Sequence, residues 1–266
     1  MEYRIADGVI AFSTTRNGGV SQGKYGEFNI NEYCGDDAEH IKQNRKLLAD
    51  RLGIAPDHIL LPHQVHGVEV RQIGGDYFSL SGEERKRLLE GVDAVMTDQK
   101  GICVGVSTAD CIPVLLYDDD HHAVAAVHAG WRGTVKRIVQ KTVEQMRITY
   151  RTEPAELKVL IGPGISRSAF EVGKEVYDEF QKEGFDMDAI AGLFPAICPA
   201  TGGQPQEKWH IDLPLCNTIQ LQHAGVPAGN IQQTNICTYS HSEEYFSARR
   251  LGIQSGRIYT GILLNN

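Results

Sequence analysis

The chain contains 266 residues, of which 41% are hydrophobic and 23% are charged, which is typical of a globular protein. This length is enough to bury a sizeable core in one large domain. The net charge of −8 comes without any basic block, which argues against nucleic acid as a main partner. There is also no long uninterrupted apolar run, so we expect no transmembrane helix and no membrane partner.

The N-terminus and the cysteines both predict a cytoplasmic protein. The first residues, MEYRIADGVIAFSTTRNGG, lack the basic segment and the following apolar segment of a signal peptide. In a chain of this length, scattered cysteines without CxxC spacing are not typical of a disulfide framework, so we expect reduced thiols. The six cysteines are Cys34, Cys103, Cys111, Cys198, Cys216 and Cys237.

The spacing of apolar residues predicts a mixture of helices and strands. Helices are predicted at four places: 38–54, 134–148, 172–184 and 212–225. Asp212 is the predicted N-cap of the last helix, with Pro214 in its first turn. Strands are predicted twice within 59–73 and once in each of four further segments: 93–98, 102–108, 157–165 and 257–264. The stretch 186–208 is rich in Gly, Pro and Gln, which predicts an irregular loop.

These elements do not alternate in a regular βαβ rhythm. We therefore predict an α+β fold with mixed, largely antiparallel sheets, in a single domain over residues 1–266.

The segment PVLLYDDDHHAVAAVHAG, residues 113–130, predicts a hairpin that turns at Asp118 to His121. That turn places Cys111 opposite His128, with Cβ atoms roughly 4.5–5.5 Å apart. The gap suits one zinc ion, because Zn–S and Zn–N bonds are about 2.3 and 2.0–2.1 Å long. It also suits a Cys–His nucleophile pair, or an inert buried thiol beside a core histidine.

Two neighbouring motifs favour a metal. HQVHG, residues 63–67, supplies His63 and His66 as candidates for a third ligand. Three Cys and His ligands with one open position are typical of a catalytic zinc site. After His128, the sequence GWRG opens a helix, and its backbone amides and Arg132 suit an anion.

A set of motifs, taken in order, covers nearly the whole chain. The main ones are TTRNGGVS (14–21), NINEYCGDD (29–37), PHQVHG (62–67), TADCIPVLL (108–116), AAVHAGWRGT (125–134), IGPGI (161–165) and CTYSHSEEYFSARR (237–250). Each motif is weak alone, but the ordered set resembles the YfiH/YlmD family. Members of that family are called laccase-domain or polyphenol oxidase proteins, and also purine nucleoside phosphorylases.

The resemblance implies an α/β/β/α-type sandwich with a zinc site of two histidines and one cysteine. Carried over by position, the metal ligands and catalytic residues are His66, Cys111 and His128; His63 is the less favoured histidine of its motif. The resemblance also implies phosphorolysis of adenosine, inosine and S-methyl-5′-thioadenosine, together with deamination of adenosine. The partners would then be purine nucleosides and phosphate, with the protein a monomer or homodimer.

Four further residues are candidates for substrate binding. Arg16 lies in a Gly-rich turn, and Asn29 alternates with Asn31 as in a strand, so both are predicted to line the mouth of the site. Arg132 and Arg249 are predicted to bind phosphate, because the guanidinium group suits bidentate phosphate contacts. The alternatives are a solvated turn, a polar edge strand and a salt-bridged helix face.

Three other functions remain open. A His2Cys set also suits copper, which would fit a polyphenol oxidase. Multicopper oxidases, however, use paired His-X-His motifs, and the ten histidines of this chain are dispersed. The second alternative is a metal-free cysteine hydrolase that uses Cys111 and His128. The third is a non-catalytic protein that binds purine nucleotides.

Overall fold

A computed structural model of the chain describes residues 1–196 and 207–265. Two large β-sheets and one small sheet form its framework, with the strands numbered in chain order. The five-stranded sheet has the spatial order β1 (Glu2–Tyr3), β2 (Val9–Ser13), β14 (Ile258–Leu264), β6 (Cys103–Thr108) and β3 (Ile59–Leu60). The six-stranded sheet has the order β13 (Ile231–Gln233), β9 (Lys158–Ile161), β7 (Ile112–Asp118), β8 (Ala123–Ala129), β5 (Ala94–Thr97) and β4 (Val70–Ile73). The small sheet has the order β10 (Glu171–Val172), β12 (Glu207–Ile211) and β11 (Ala191–Pro195).

Helices cover the outer faces of the two large sheets. They are α1 (Ala38–Leu52), α2 (Gly82–Leu88), α3 (Trp131–Val135), α4 (Ile138–Tyr150), α5 (Lys174–Lys182), α6 (Met187–Ile190), α7 (Leu213–His223) and α8 (Ala248–Leu251). The predicted helices at 38–54 and 212–225 are confirmed, and Asp212 caps α7 by accepting a hydrogen bond from the Leu215 backbone at 2.9 Å.

Side chains along β7 and β8 alternate between two buried layers, as expected for a sheet covered on both faces. Val114 and Val127 pack in one apolar cluster with α4 and α7, whereas Leu115 and Ala126 pack against the five-stranded sheet. On the far side of the five-stranded sheet, α1 packs through Leu48. Three strand pairings are parallel and the other described pairings are antiparallel. The predicted α+β, α/β/β/α sandwich is therefore confirmed.

The β7–β8 hairpin forms, but its predicted register is wrong. His128 lies opposite Pro113 rather than Cys111, and Cys111 immediately precedes β7. The turn begins one residue later than predicted, because Asp118 stays in the ladder opposite Ala123. Its carboxylate accepts from the backbone and ring nitrogens of His121, which stabilises the longer turn. The error is two residues along one strand, so the predicted face of the sheet is preserved.

Two other predicted elements need correction. The helix predicted over 134–148 starts earlier, at Trp131, and breaks at Arg137, whose φ of 66° is left-handed. The stretch 186–208 was predicted to be an irregular loop, yet α6, β11 and the start of β12 lie in it. The rest of that stretch, residues 197–206, lies outside the described residues.

Candidate metal centre and cavity

Three side chains from distant parts of the chain converge: His66, Cys111 and His128. Their ligand atoms all lie within 4.8 Å of one another. The Cys111 Sγ atom lies 3.9 Å from His66 Nε2, and the two imidazole rings meet edge to face with centroids 4.8 Å apart. No second cluster of this kind occurs in the part of the chain that the structure describes.

Irregular backbone places two of the three side chains. His66 has a φ of 61°, and Asp110, immediately before Cys111, has a φ of 89°. Left-handed values are uncommon for residues other than glycine and cost free energy, so they persist only where other contacts hold them. For Asp110, the carboxylate accepts hydrogen bonds from Thr238 Oγ1 and from the Arg249 backbone, both at 2.7 Å. Cys111 is thereby tied to two distant segments of the chain.

The buried carboxylate of Asp93 holds the two histidines. Its Oδ1 atom accepts from His128 Nδ1 at 2.7 Å and from the backbone N–H of His66 at 2.9 Å. Its Oδ2 atom accepts from the backbone of Gly67 at 2.6 Å. Because a carboxylate only accepts, Nδ1 of His128 carries the proton and Nε2 is left as the ligand atom.

The charges within the cluster favour a thiolate. Burial alone would raise the pKa of Cys111, but the His128 and His66 rings lower it to about 6. Burial would likewise lower the pKa of His128, but the Cys111 sulfur and the Asp93 carboxylate raise it to about 9. The deprotonated form of cysteine, which binds metals and attacks electrophiles, is thus stabilised near neutral pH.

The cluster forms part of the wall of a cavity of about 680 Å³. That volume lies within the range of about 300–1,000 Å³ that is common for small-molecule sites. The rest of the wall mixes polar and aromatic side chains, among them Asn31, Gln64, Arg249, Tyr33, Trp131 and Phe170. Such a lining suits a ligand with a flat ring and several polar groups.

Two of the predicted substrate residues differ in their relation to this cavity. Arg249 lines it, and its Nη2 donates to the carbonyl of Glu171 at 2.9 Å. That bond uses one of the five donors of a guanidinium group. Arg132 is exposed, and its guanidinium carbon lies 4.3 Å from the ring centroid of Trp131, which is itself part of the wall. Arg132 therefore supports an aromatic side of the cavity.

The other two predicted substrate residues hold neighbouring segments of the chain. Arg16 Nη1 donates to the carbonyl of Ser242 at 2.7 Å. Asn29 is fully buried, and its Oδ1 accepts the backbone N–H of Arg257, a lining residue, at 3.1 Å. The predicted strand does not form at this stretch, and it is Asn31 that lines the cavity. Substrate contacts by Arg16 and Asn29 stay predictions.

Sequence reasoning did not single out Asp93 or Gln64. Gln64 makes two hydrogen bonds to the backbone of Ser107, at 2.8 and 2.9 Å, and so fixes the His66 loop on β6. The signal for Asp93 lay in the pairing of two strands. Because β5 begins one residue after Asp93 and pairs with β8, the two chains bring Asp93 beside His128.

Two simpler expectations concern the whole chain. No helix within residues 1–196 and 207–265 is long and apolar enough to cross a lipid bilayer. Cysteine side chains in those ranges are free thiols, as expected: Cys34, Cys103, Cys111, Cys216 and Cys237. Cys198 lies outside the described residues.

The sequence is similar to one protein family along almost its whole length. The family described as multi-copper polyphenol oxidoreductase laccase matches residues 10–265. A protein of Bacteroides thetaiotaomicron named purine nucleoside phosphorylase is 45% identical over 254 residues, which cover 96% of this chain and 91% of the relative. A protein from an unknown prokaryotic organism, named adenosine deaminase RL5, is 42% identical over 256 residues, covering 96% and 94% of the two chains.

Solved structures agree with this similarity. The YfiH protein of Bacillus licheniformis superposes with a TM-score of 0.84 at 29% identity, covering 97% of this chain and 93% of that one. The YlmD protein of Geobacillus stearothermophilus gives a TM-score of 0.84 at 27% identity, covering 99% and 94%.

Proposed function

This chain belongs to the multi-copper polyphenol oxidoreductase laccase family, and we propose that it is a zinc-dependent purine nucleoside phosphorylase that also deaminates adenosine. The family membership confirms the resemblance to YfiH and YlmD that the motifs indicated. The proposed substrates are adenosine, inosine and S-methyl-5′-thioadenosine. The observation that carries the proposal is the convergence of His66, Cys111 and His128 on a cavity large enough for a nucleoside.

The donor set fits zinc. One thiolate and two imidazoles suit this ion, and three protein ligands leave a position open for catalysis. Two features beyond the ligands support the assignment. Asp93 fixes the Nδ1 proton of His128, which is the usual outer partner of a metal-bound histidine. The lowered pKa of Cys111 means that the thiol gives up its proton to a metal near neutral pH.

When bound, zinc makes a nucleophile available from water near neutral pH, which suits attack on C6 of adenine. The residues of the chain hold and orient the reactants. The Trp131 ring offers a flat surface for a purine, and Arg132 supports that ring from the outside. Phosphorolysis needs phosphate aimed at C1′ of the ribose, and the Arg249 guanidinium is the proposed cation for it. Asn31 offers amide groups to the ribose hydroxyls or the base.

A metal-free cysteine hydrolase is the second candidate, because the lowered pKa of Cys111 would also activate a nucleophile. One base is enough for that chemistry, and His128 supplies it. The second imidazole, His66, is held by left-handed backbone 3.9 Å from the thiol sulfur, which a hydrolase does not require. The third convergent ligand therefore favours the metal.

Copper is the remaining alternative, because a His2Cys set suits it as well. One experiment separates these functions. Protein purified without chelators is analysed for zinc and copper, and its turnover of inosine is measured with and without phosphate. We expect one zinc per chain and phosphate-dependent release of hypoxanthine, with conversion of adenosine to inosine in the absence of phosphate. Metal-free protein, or phenol oxidation without nucleoside turnover, would contradict the proposal.

A further inference from the structure

His63 lines the cavity but has no place in the proposed metal site. Its Nδ1 atom lies 2.7 Å from Glu90 Oε1, and the Tyr33 ring stacks on its face with centroids 4.3 Å apart and planes inclined by 24°. The backbones are joined too, because His63 and Glu90 form a parallel bridge and His63 N–H donates to the Leu89 carbonyl at 2.9 Å. The ring is therefore fixed by a charge, a stacked ring and the main chain.

The orientation of this ring leaves one nitrogen for chemistry. His63 and Tyr33 line the cavity, whereas Glu90 lies outside its wall. Because a carboxylate only accepts, the edge of the ring that carries Nδ1–H faces Glu90. The opposite nitrogen, Nε2, is then available to exchange a proton with a molecule in the cavity. A carboxylate that orients an imidazole in this way is a recurrent arrangement for acid–base catalysis.

Other proton donors of the cavity are less suitable. Burial raises the pKa of Tyr33 to about 12 and also raises the pKa of Cys34, so both hold their protons near neutral pH. Both carboxylate oxygens of Asp110 already accept hydrogen bonds from the protein. Among the described lining residues, His63 is the one histidine outside the proposed zinc ligands. Imidazole is the side chain that both carries and releases a proton most readily near neutral pH.

We propose that His63 is the general acid of phosphorolysis, donating a proton from Nε2 to the departing purine, and that Glu90 is its positioning residue. This inference rests on the proposed phosphorylase function. It supplies the acid–base group that the reaction needs and that the three metal ligands do not provide.

The atoms and charges of the step balance. An oxygen of hydrogen phosphate forms a bond to C1′ of the ribose while the C1′–N9 bond breaks. The electron pair of the broken bond stays on the purine, which takes the Nε2 proton of His63 at N7 and leaves as the neutral base. The proton that phosphate loses on becoming ribose 1-phosphate returns to His63. Nothing is oxidised or reduced.

The test compares two nucleosides that differ in their need for a proton. An N7-methyl group gives the purine a fixed positive charge, so 7-methylinosine needs no proton on departure, whereas inosine does. We expect His63→Gln to lower kcat/KM for inosine by about 100-fold or more, the usual contribution of a general acid. With 7-methylinosine, the variant should stay close to the unaltered enzyme. A purely structural role of His63 would affect both nucleosides equally.

A second comparison uses 6-chloropurine riboside, whose electron-poor base leaves more easily without a proton, so its loss should be smaller than that of inosine. His121→Gln is the matched control. It removes a histidine of similar side-chain exposure (38% against 36%) that also pairs with a carboxylate, Asp118, but lies outside the cavity lining. It should leave both rates unchanged.

Zinc content and circular dichroism establish that each variant is folded and loaded. If His63→Gln does not fold, Glu90→Gln should show a smaller loss with the same preference for 7-methylinosine. Equal losses on all nucleosides, or an unchanged rate on inosine, would overturn the role of His63 while leaving the phosphorylase proposal intact. Absence of phosphorolysis in the unaltered enzyme would instead remove the proposed function, and this inference with it.

Discussion

The Asp93 carboxylate and the His128 imidazole form a fully buried pair, with Oδ1 and Nδ1 2.7 Å apart. The same carboxylate accepts the backbone N–H groups of His66 and Gly67. One side chain therefore sets the ring orientation of one candidate ligand and the left-handed backbone of another. The two histidines are placed before any metal binds, which lowers the entropic cost of forming the site.

Replacing Asp93 by asparagine should weaken zinc binding by about 10- to 100-fold, the usual effect of losing the outer partner of a metal ligand. The amide accepts through one oxygen only, so it cannot satisfy the His128 ring and all of the backbone donors together. Competition with a chromophoric chelator measures the affinity. Asp118→Asn is the control, because it alters another buried carboxylate that pairs with a histidine, His121, outside the cavity lining. Equal zinc affinity in Asp93→Asn and the unaltered protein would contradict this role.

In metal-free protein, Cys111 should react with iodoacetamide at a rate that is half-maximal near pH 6. Its pKa is lowered to about 6, so the thiolate is lost as the pH falls through that value and is nearly complete by pH 8. An ordinary thiol, with a pKa of about 8.5, would still be gaining reactivity there. Mass spectrometry of the alkylated peptide gives the rate at each pH. Zinc should block the reaction, and the buried Cys103, whose pKa burial raises to about 12, should stay unmodified. A Cys111 rate that rises only above pH 8 would contradict the stabilised thiolate.

The architecture of this chain follows from its sequence more readily than its register does. Apolar runs such as β7 and β8 indicate buried strands because both faces are covered, and the motif order gives the layer arrangement. The register depends on where a turn starts, and at Asp118 a side-chain hydrogen bond moved it along the chain. Such local contacts carry no periodic signal, so the predicted opposition of Cys111 and His128 failed although the two side chains are close.

The metal ligands could be inferred because cysteine and histidine are chemically distinctive and lie in specific motifs. The groups that orient them could not. Asp93 and Gln64 are ordinary polar residues, and their importance comes from long-range strand pairing and from contacts to a neighbouring backbone. The same applies to Asn31, which lines the cavity because the segment around it is irregular rather than a strand.

Replacing Cys111 by alanine should abolish zinc binding and both activities. The substitution removes the anionic ligand, and two neutral imidazoles hold zinc far more weakly than a set that includes a thiolate. Deamination loses its nucleophile, and phosphorolysis is expected to fail as well because one pocket serves both reactions. Adenosine deamination and phosphate-dependent cleavage of inosine are assayed after folding is verified. Cys34→Ala, which removes another thiol from the same cavity lining, is the control. Full retention of both activities in metal-free Cys111→Ala would contradict a zinc enzyme, and retained phosphorolysis alone would limit the metal to deamination.

Replacing Gly130 by alanine should weaken zinc binding without destabilising the metal-free fold. The backbone of Gly130 has a φ of −69°, which alanine adopts without strain. A Cβ atom there would lie 2.9 Å from His66 Cδ2 and 3.1 Å from Cys111 Sγ, inside normal contact distance. In metal-free protein the exposed His66 ring can rotate away, whereas bound zinc fixes both side chains. The resulting overpacking should cost about 1–3 kcal/mol, or roughly 5- to 150-fold in zinc affinity. Thermal unfolding with and without zinc separates the two states, since only the zinc-induced gain in stability should shrink. Gly82→Ala, where a Cβ would meet no atom within 4 Å, is the control. An unchanged zinc affinity in Gly130→Ala would show that the ligands do not occupy these positions when the metal is bound.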